Sequence, residues 1–345
     1  MKAKGSLAKK LKSNLYDLST VIIFLTLILV FTVINAVNGN RYLTMSNLSV
    51  IINQASFLAL LGVAQMVVLL TGGVNLSIGA IMVFSSIIAG PYLMQQSGYF
   101  WLIPVLIMLL FGGLAGGVNG ILVTQFKLPA FIATFSAMYI FRGLAWIIQG
   151  RTVIYRINEN IRFLAMGRLF TIGGFTVTMP MLISVGLILI MSFALRKTVF
   201  GSKVYFTGSN PVAAKFSGIN VNRIIILIHI LSGVLAGFCG VMYAARVNAA
   251  EPGMYTSAHF DAISVALIGG ISMRGGFGNV WGVAIGALII STIQSGMNSI
   301  QLPSEYQTLV LGLLIILSVF FNQFLIKAKQ NAANELSTEE ETIAA

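Results

Sequence analysis

Residues 20–37 read TVIIFLTLILVFTVINAV, a stretch without a single charge. A helix that crosses a bilayer needs about 20 mostly apolar residues, so this stretch has the length and the chemistry of a membrane span. A cleaved signal peptide has a shorter apolar region and a small-residue cleavage site. The stretch therefore predicts a retained first span.

The composition of the whole chain points the same way. Of the 345 residues, 57% are hydrophobic and only 9% are charged, and the mean hydropathy is +0.92. Soluble domains carry roughly 25% charged residues. The sequence is therefore predicted to fold as an all-α polytopic membrane protein.

About ten segments are long and apolar enough to cross a bilayer. They lie at 18–38, 49–70, 76–96, 101–124, 129–148, 179–197, 223–245, 257–271, 279–298 and 306–326. The eighth is short, as a re-entrant or tilted helix would be. The predicted organisation is a basic N-terminus (1–17), a transmembrane domain (18–326) and a disordered tail (327–345).

Positive charge predicts the orientation of these spans. The net charge is +12, and five lysines fall within residues 1–12. Because short cytoplasmic segments are enriched in Lys and Arg, both ends of the chain are expected in the cytoplasm of a bacterial inner-membrane protein. The loop between the sixth and seventh spans (198–222) is then cytoplasmic. The segment 149–178 opposes this bias, since it carries four arginines and is placed outside.

Glycines recur at a spacing of four residues in three of the predicted spans. They are Gly112, Gly116 and Gly120; Gly233 and Gly237; and Gly282 and Gly286. Such small-residue ridges let helix backbones approach closely inside a membrane. The pattern predicts a compact bundle.

No enzyme motif is present. The chain lacks the GK[ST] phosphate loop of ATPases and the GxSxG nucleophile elbow of hydrolases. Its two histidines, His229 and His259, lack metal-ligand spacing, and the one cysteine, Cys239, lies in an apolar run. No catalytic or metal site is predicted.

Polar side chains inside the predicted spans are candidates for a translocation pathway. They are Gln54, Gln65, Asn75, Ser77, Asn119, Asp261, Gln294 and Asn298. Uncharged amides and hydroxyls suit a polyol, because each can donate and accept hydrogen bonds without a counter-ion. The alternative for each residue alone is an interhelical hydrogen bond.

Asp261 is the acid in an otherwise mostly apolar segment, SAHFDAISVALIGG (257–270). A carboxylate inside a membrane is costly and commonly functional. Arg246 and Glu251 lie in the turn before it. Two interpretations stay open: a gate or pathway acid, and an ion pair among these three residues that fixes the helix hairpin.

Three motifs together resemble a known family. They are LTGGVNLSIGA (70–80), GSNPVAAKFSGINVNR (208–223) and HFDAISVALIGGISMRGGFGNVWG (259–282). In this order and spacing they are similar to the permease subunits of ABC importers for ribose, xylose and galactose, over about residues 15–325. The chain departs from the family pattern at Asn75, where aspartate is usual, and at His259 and Phe260, where Glu-Leu is usual.

The resemblance implies a permease bundle that carries a monosaccharide, with a pentose such as ribose favoured. It implies two partner ATPase subunits that bind ATP and Mg²⁺, an extracytoplasmic sugar-binding protein, and pairing with a second copy or a paralogous permease. The ATPase would grip a short helix in the loop 198–222. The residues assigned to this coupling are Gly208, Asn210, Pro211, Ala213, Ala214, Ser217 and Gly218, with the small side chains forming the docking face.

Two alternatives from the residues, and one from the family, remain. An ion-coupled secondary transporter needs titratable groups near the midplane, where Arg142, Asp261 and His229 are the candidates. A membrane-embedded transferase or hydrolase needs a convergent nucleophile and base. Within the family, a branched-chain amino acid permease is the close alternative.

Overall fold

The computed structural model describes residues 22–37, 39, 41–94, 101–303, 305–310, 312, 313, 316, 317 and 320. The basic N-terminus (1–17), the tail (327–345) and much of the tenth predicted span lie outside these residues.

The described residues form a helical bundle with four short strands. The helices are α1 (Ile22–Val37), α2 (Met45–Leu69), α3 (Ile78–Ile88), α4 (Gly90–Leu93), α5 (Leu102–Thr124), α6 (Ala130–Gln149), α7 (Glu159–Met166), α8 (Met179–Lys197), α9 (Val199–Ser209), α10 (Pro211–Phe216), α11 (Val221–Val247), α12 (Ala258–Ile268) and α13 (Val280–Ser299). Residues 305–310 are also helical. The strands are β1 (Ile154–Tyr155), β2 (Arg168–Ile172), β3 (Phe175–Thr178) and β4 (Ala249–Ala250).

Six of these helices are long and apolar enough to cross a membrane: α2, α5, α6, α8, α11 and α13. Three further apolar helices, α1, α3 and α12, are shorter. The multi-pass helical prediction is confirmed, whereas the count of ten spans stays a prediction. The third and eighth predicted spans contain helices of only 11 residues each, α3 and α12.

Polar side chains start six of the described helices by accepting a hydrogen bond from the first-turn backbone. Thr44 does this for α2, Asn220 for α11 and Asn279 for α13. The α11 helix ends at Asn248, whose left-handed backbone (φ 56°) turns the chain into β4. These caps explain why the apolar runs break where they do.

The α2 helix lies at the centre of the bundle. Of the 18 consecutive residues that are most apolar in each helix, 78% are buried in α2 and 28% in α6. It packs against α8, α11, α12 and α13. The α6 helix is therefore peripheral, and one of its sides is left uncovered by this chain.

The two short helices start inside the bundle and side by side. A side chain added at Gly79, in the first turn of α3, would lie 3.0 Å from the methyl group of Ala258, which begins α12. The two helices run in opposite directions from this point, because α3 leads to Gly90, which packs beside Ile154 of β1, whereas α12 leads to the loop whose Gly276 N–H donates to the Leu70 carbonyl at the C-terminal end of α2. Each therefore spans only part of the bundle's height.

The bundle has two distinct ends. One end carries α9 and α10, and we call it the α10 end. There the Gly276 N–H donates to the carbonyl of Leu70, which follows α2, at 2.9 Å. At the sheet end, β1 pairs with β4 and β2 pairs with β3. The Thr176 N–H there donates to Ser49 Oγ, near the start of α2, at 2.8 Å. The loop 198–222 and the arginine-rich segment 149–178 thus lie at opposite ends of α2.

Candidate functional site

A short helix forms where the sequence predicted one. Asn210 caps α10 by accepting a hydrogen bond from the Ala213 N–H at 3.0 Å, and Pro211 occupies the first turn, where its missing N–H costs nothing. After Ser217 the chain turns at Gly218, whose φ of +79° favours glycine. The predicted helix start at Asn210 and Pro211 is confirmed.

The exposed face of α10 differs from the predicted one. Ala214 is only 2% exposed and packs inward, and its carbonyl accepts a hydrogen bond from the Ile219 N–H at 3.0 Å. The large outward side chains are Val212, 65% exposed, and Phe216, 89% exposed. They are four residues apart and so share one side of the helix. Assigning Ala214 to a partner contact is therefore wrong for this conformation.

Sequence reasoning missed Val212 and Phe216 because it favoured small residues for a docking face. The signal was present, since two apolar residues at a spacing of four interrupt a polar segment. Of the other residues assigned to the coupling, Ala213, Ser217 and Gly218 are exposed and flank this apolar pair, whereas Gly208 is buried at the end of α9.

The end of α9 and two loops meet directly beside α10, in what we call the glycine junction: Leu70, Gly72, Gly208, Gly275 and Gly276. A methyl group at Gly208 would overlap the Leu70 carbonyl and lie 2.6 Å from the Gly276 nitrogen. One at Gly275 would lie 2.7 Å from the Gly72 nitrogen and 2.9 Å from the Gly208 carbonyl oxygen. The backbones are so close at Gly208 and at Gly275 that only glycine fits at these two positions.

The glycine junction connects α9 and α10 to two other parts of the bundle. Leu70 and Gly72 belong to the loop that leads from α2 to α3, and Gly275 and Gly276 belong to the loop between α12 and α13. Tyr205 of α9 adds a hydrogen bond, since its hydroxyl donates to the Gly278 carbonyl at 2.8 Å. The three family-like motifs, far apart in sequence, thus converge at one place.

Four of the predicted pathway residues form a closed network. Asn75 donates to Ser232 Oγ at 3.0 Å and accepts from the Ser77 hydroxyl at 2.7 Å. Asn119 donates to Ser77 Oγ at 2.7 Å. With its amide oriented to suit its neighbours, Gln65 donates to the Asn75 carbonyl at 2.9 Å. All five side chains are fully buried, so in this conformation they join helices and do not line an open path.

Three other predicted pathway residues lie nearer the sheet end, along the contact of α2 with α13. The Gln54 amide donates to the Gln294 amide oxygen, and both side chains are partly exposed. Asn298 is exposed and accepts from Gln307 Nε2 at 2.8 Å. These amides remain accessible to a polyol.

Asp261 has a hydrogen-bond partner that the sequence did not reveal. The Tyr255 hydroxyl donates to its Oδ2 at 2.7 Å. The Tyr255 ring stacks on the Tyr243 ring with centroids 4.7 Å apart. The centroid of the Phe57 ring lies 6.0 Å from that of Tyr255. The acid is buried within the first turn of α12.

The ion-pair interpretation of Asp261 is not supported. Within the part of the chain that the structure describes, no ion pair links Arg246 to Glu251 or to Asp261, and Tyr255 takes the position of the expected cation. Tyr255 could not be singled out from the sequence, because its contact with Asp261 is made only in the folded turn before α12, where Tyr255 has a left-handed backbone (φ 41°).

Comparisons with known proteins agree with this architecture. Residues 47–319 match the family model described as "Branched-chain amino acid transport system / permease component". The fructose import permease of Rhizobium meliloti is 31% identical over 93% of this chain and 90% of its own length. The ribose import permease of Bacillus subtilis is 33% identical over 87% and 91%, and the D-allose transport system permease of Escherichia coli is 33% identical over 88% and 91%. No solved structure matches the chain.

The family match covers most of the described bundle, including the glycine junction, α10 and both short helices. The curated relatives extend the likeness over nearly the whole chain. The chain therefore belongs to this family of ABC importer permeases.

Proposed function

We propose that the chain forms the translocation pathway of an ABC importer for a monosaccharide, with a pentose such as ribose as the favoured cargo. The observation that carries the proposal is the convergence of the three motifs at the glycine junction, directly beside an exposed apolar helix. The names of the relatives, which include ribose, fructose, D-allose and L-arabinose permeases, support a sugar as cargo.

In this proposal energy enters through α10. Val212 and Phe216 dock into a partner ATPase, which binds ATP and Mg²⁺, because the permease carries no phosphate loop of its own. ATP-driven closure of the partner moves α9 and α10, and the glycine junction passes this movement to the loops after α2 and α12. Two copies of the permease, or one copy and a paralogue, then alternate between outward-open and inward-open states.

The α10 end is cytoplasmic in this proposal, and a binding protein delivers the sugar at the sheet end. The lysine-rich N-terminus and the basic residues in and around α9 and α10 support this orientation. Asp261 and its Tyr255 partner then lie between the two ends, where a gate would act.

The docking of α10 is tested with Phe216→Ser in the complex of permease, ATPase and binding protein. Burying a phenylalanine side chain is worth about 1.5–3 kcal/mol, so its loss should weaken ATPase binding by about tenfold or more. Co-purification of the ATPase and sugar-stimulated hydrolysis should both fall. Phe170→Ser, at an exposed position in β2 at the sheet end, is the control and should leave both unchanged.

An unchanged complex with Phe216→Ser would mean that α10 is not the coupling element. The cargo is tested separately, by measuring uptake of D-ribose, D-fructose, D-allose, L-arabinose and L-leucine into proteoliposomes. Uptake of leucine but of no sugar would favour the amino acid permease that the family's description names.

Orientation is tested with single cysteines on a Cys239→Ala background, which removes the one native thiol. An impermeant thiol reagent added to intact cells should label Thr171→Cys, in the exposed strand β2, and spare Ser217→Cys, after α10. The reverse labelling pattern would invert the orientation and with it the coupling role of α10.

A further inference from the structure

One side of α6 exposes a row of large aromatic residues together with an arginine. We call this the α6 aromatic face: Phe131, Phe135, Tyr139, Arg142 and Trp146. Steps of three and four residues place these side chains on one side of the helix. The Phe135 ring lies 6.3 Å from Phe131 and 5.1 Å from Tyr139, where it meets the tyrosine edge to face. All four aromatic side chains are exposed on the surface of the chain.

Arg142 makes this side unlike a lipid-facing surface. It lies near the middle of α6, is half-buried, and has a buried Nε without a hydrogen-bond partner. Within the described residues it forms no ion pair. A charged side chain at that depth is costly against lipid and is generally found facing a bundle interior or a water-filled path. The α6 aromatic face is therefore expected to border a polar path.

The turn that leads into α12 borders the same side of α6. Arg142 lies close enough to His259 to act on it electrostatically. A side chain added at Gly253 would contact the Trp146 ring at 3.8 Å. Phe260, which follows His259, is exposed and packs its ring 4.1 Å from the imidazole. An aromatic ring of α6, the Arg142 guanidinium and the His259 imidazole with its Phe260 neighbour therefore lie near the turn that leads into α12.

A monosaccharide matches this combination of groups. Its ring has apolar C–H faces that can lie on aromatic rings, whose faces carry negative charge density. Its hydroxyls can accept from the guanidinium, which offers five donors in a fixed planar arrangement. A neutral sugar brings no charge into the membrane, so it needs no counter-ion.

We infer that the α6 aromatic face is the surface that the monosaccharide contacts during translocation, with Arg142 donating to its hydroxyls and Tyr139 and Phe135 lying against its ring. This inference rests on the proposed function and assigns sugar recognition to residues outside the buried Asn75 network. Selectivity among sugars then depends partly on this chain as well as on the binding protein.

The test uses the full complex in proteoliposomes and two variants, Arg142→Gln and Tyr139→Leu. Uptake of D-ribose, D-fructose, D-allose and L-arabinose is measured beside ATP hydrolysis and co-purification of the ATPase. We expect Arg142→Gln to lower uptake about tenfold, as the loss of a charged hydrogen bond would. We expect both variants to change the ratios of uptake among the four sugars, with basal hydrolysis and assembly retained.

Phe193→Leu is the matched control, because Phe193 is a similarly exposed aromatic residue on α8. It should leave both the rates and the ratios unchanged. Equal slowing of all four sugars, or loss of the permease pair on size exclusion, would overturn the inference and assign the face to structure or to a subunit contact. Unchanged transport would assign it to lipid. Uptake by the wild-type complex is measured first. A wild-type complex that carries none of the four sugars would overturn the proposed function itself.

Discussion

The α5–α11 ridge and the glycine junction both bring backbones into contact through glycine, yet they join different kinds of structure. In the ridge, Gly112 and Gly116 of α5 pack against Gly233 and Gly237 of α11, two long hydrogen-bonded helices. In the junction the contacting backbones belong to the end of α9 and to two loops. The same close approach should therefore hold the bundle together in one place and transmit movement in the other.

The ridge distributes its contacts over many turns of two helices. A displacement at one glycine would have to shift a whole helix, because each helix is internally hydrogen-bonded along its length. The junction has no such continuity, and its loops can change φ and ψ at a few residues, as hinges do. We expect ridge substitutions to act on folding and junction substitutions to act on coupling.

The largest effect is expected for Gly116→Val in the ridge. Its side chain would overlap the His229 carbonyl and crowd the Gly233 Cα, and backbone atoms cannot move aside as a flexible side chain can. Overpacking of a tight core costs about 1–3 kcal/mol or more. The yield of monodisperse protein on size exclusion in detergent should fall severely.

The control for the ridge is Gly117→Ala, one residue along α5. Its methyl group would lie 3.5 Å from Ile230 Cγ1, an ordinary contact with a side chain, so yield and thermal stability should stay near those of the wild type. If Gly116→Val folded as well as this control, the ridge would not be the element that fixes α5 to α11.

The second effect is expected for Gly208→Ala in the junction. The added methyl group would overlap the Leu70 carbonyl and press on Gly276, so the end of α9 and the two loops must separate locally. We expect the chain to insert and to retain the ATPase, because neither α10's exposed face nor a long helix changes. Hydrolysis should lose most of its response to sugar-loaded binding protein.

Ser202→Ala is the matched control, since Ser202 lies on the exposed side of the same helix, α9. Its hydrolysis should respond as that of the wild type does. A Gly208→Ala complex with a normal response would show that the junction is not on the route from α10 to the bundle. Loss of folded protein would instead make the junction equivalent to the ridge and remove the contrast between them.

The ridge could be predicted from the sequence, whereas the junction could not. The spacing of Gly112, Gly116 and Gly120 reports on one helix face, because the period of a helix is fixed. The glycines of the junction come from three distant segments, and no local pattern says which loops will meet. The α8 helix was likewise predicted at its observed bounds, 179–197, from a single apolar run.

The residues of the candidate site also fall into those that a local sequence pattern predicts and those that depend on contacts between distant segments. The start of α10 at Asn210 and Pro211 follows from local backbone chemistry and was predicted. The inward side of Ala214, the Tyr255 partner of Asp261 and the burial of Asn119 depend on which elements pack nearby, and residue type alone does not determine this. The sequence shows Arg142 as a charge within a predicted span, but only the exposed aromatic residues around it in the structure suggest a role.

The smallest effect is expected for Tyr205→Phe, which keeps the ring and removes the hydrogen bond to the Gly278 carbonyl. A hydrogen bond of this kind contributes about 0.5–1.5 kcal/mol, so the link between α9 and the α12–α13 loop should weaken without breaking, since the close backbone contacts of Gly208 with Gly275 and Gly276 remain. The stimulation of hydrolysis by sugar-loaded binding protein should fall by less than about tenfold.

Tyr155→Phe, at an exposed position of β1 at the sheet end, is the control and should leave this stimulation unchanged. If Tyr205→Phe abolished stimulation as completely as Gly208→Ala, the hydroxyl rather than the backbone contact would carry the coupling. A single side-chain hydrogen bond, and not close packing of glycine backbones as in the α5–α11 ridge, would then link α9 to the rest of the bundle.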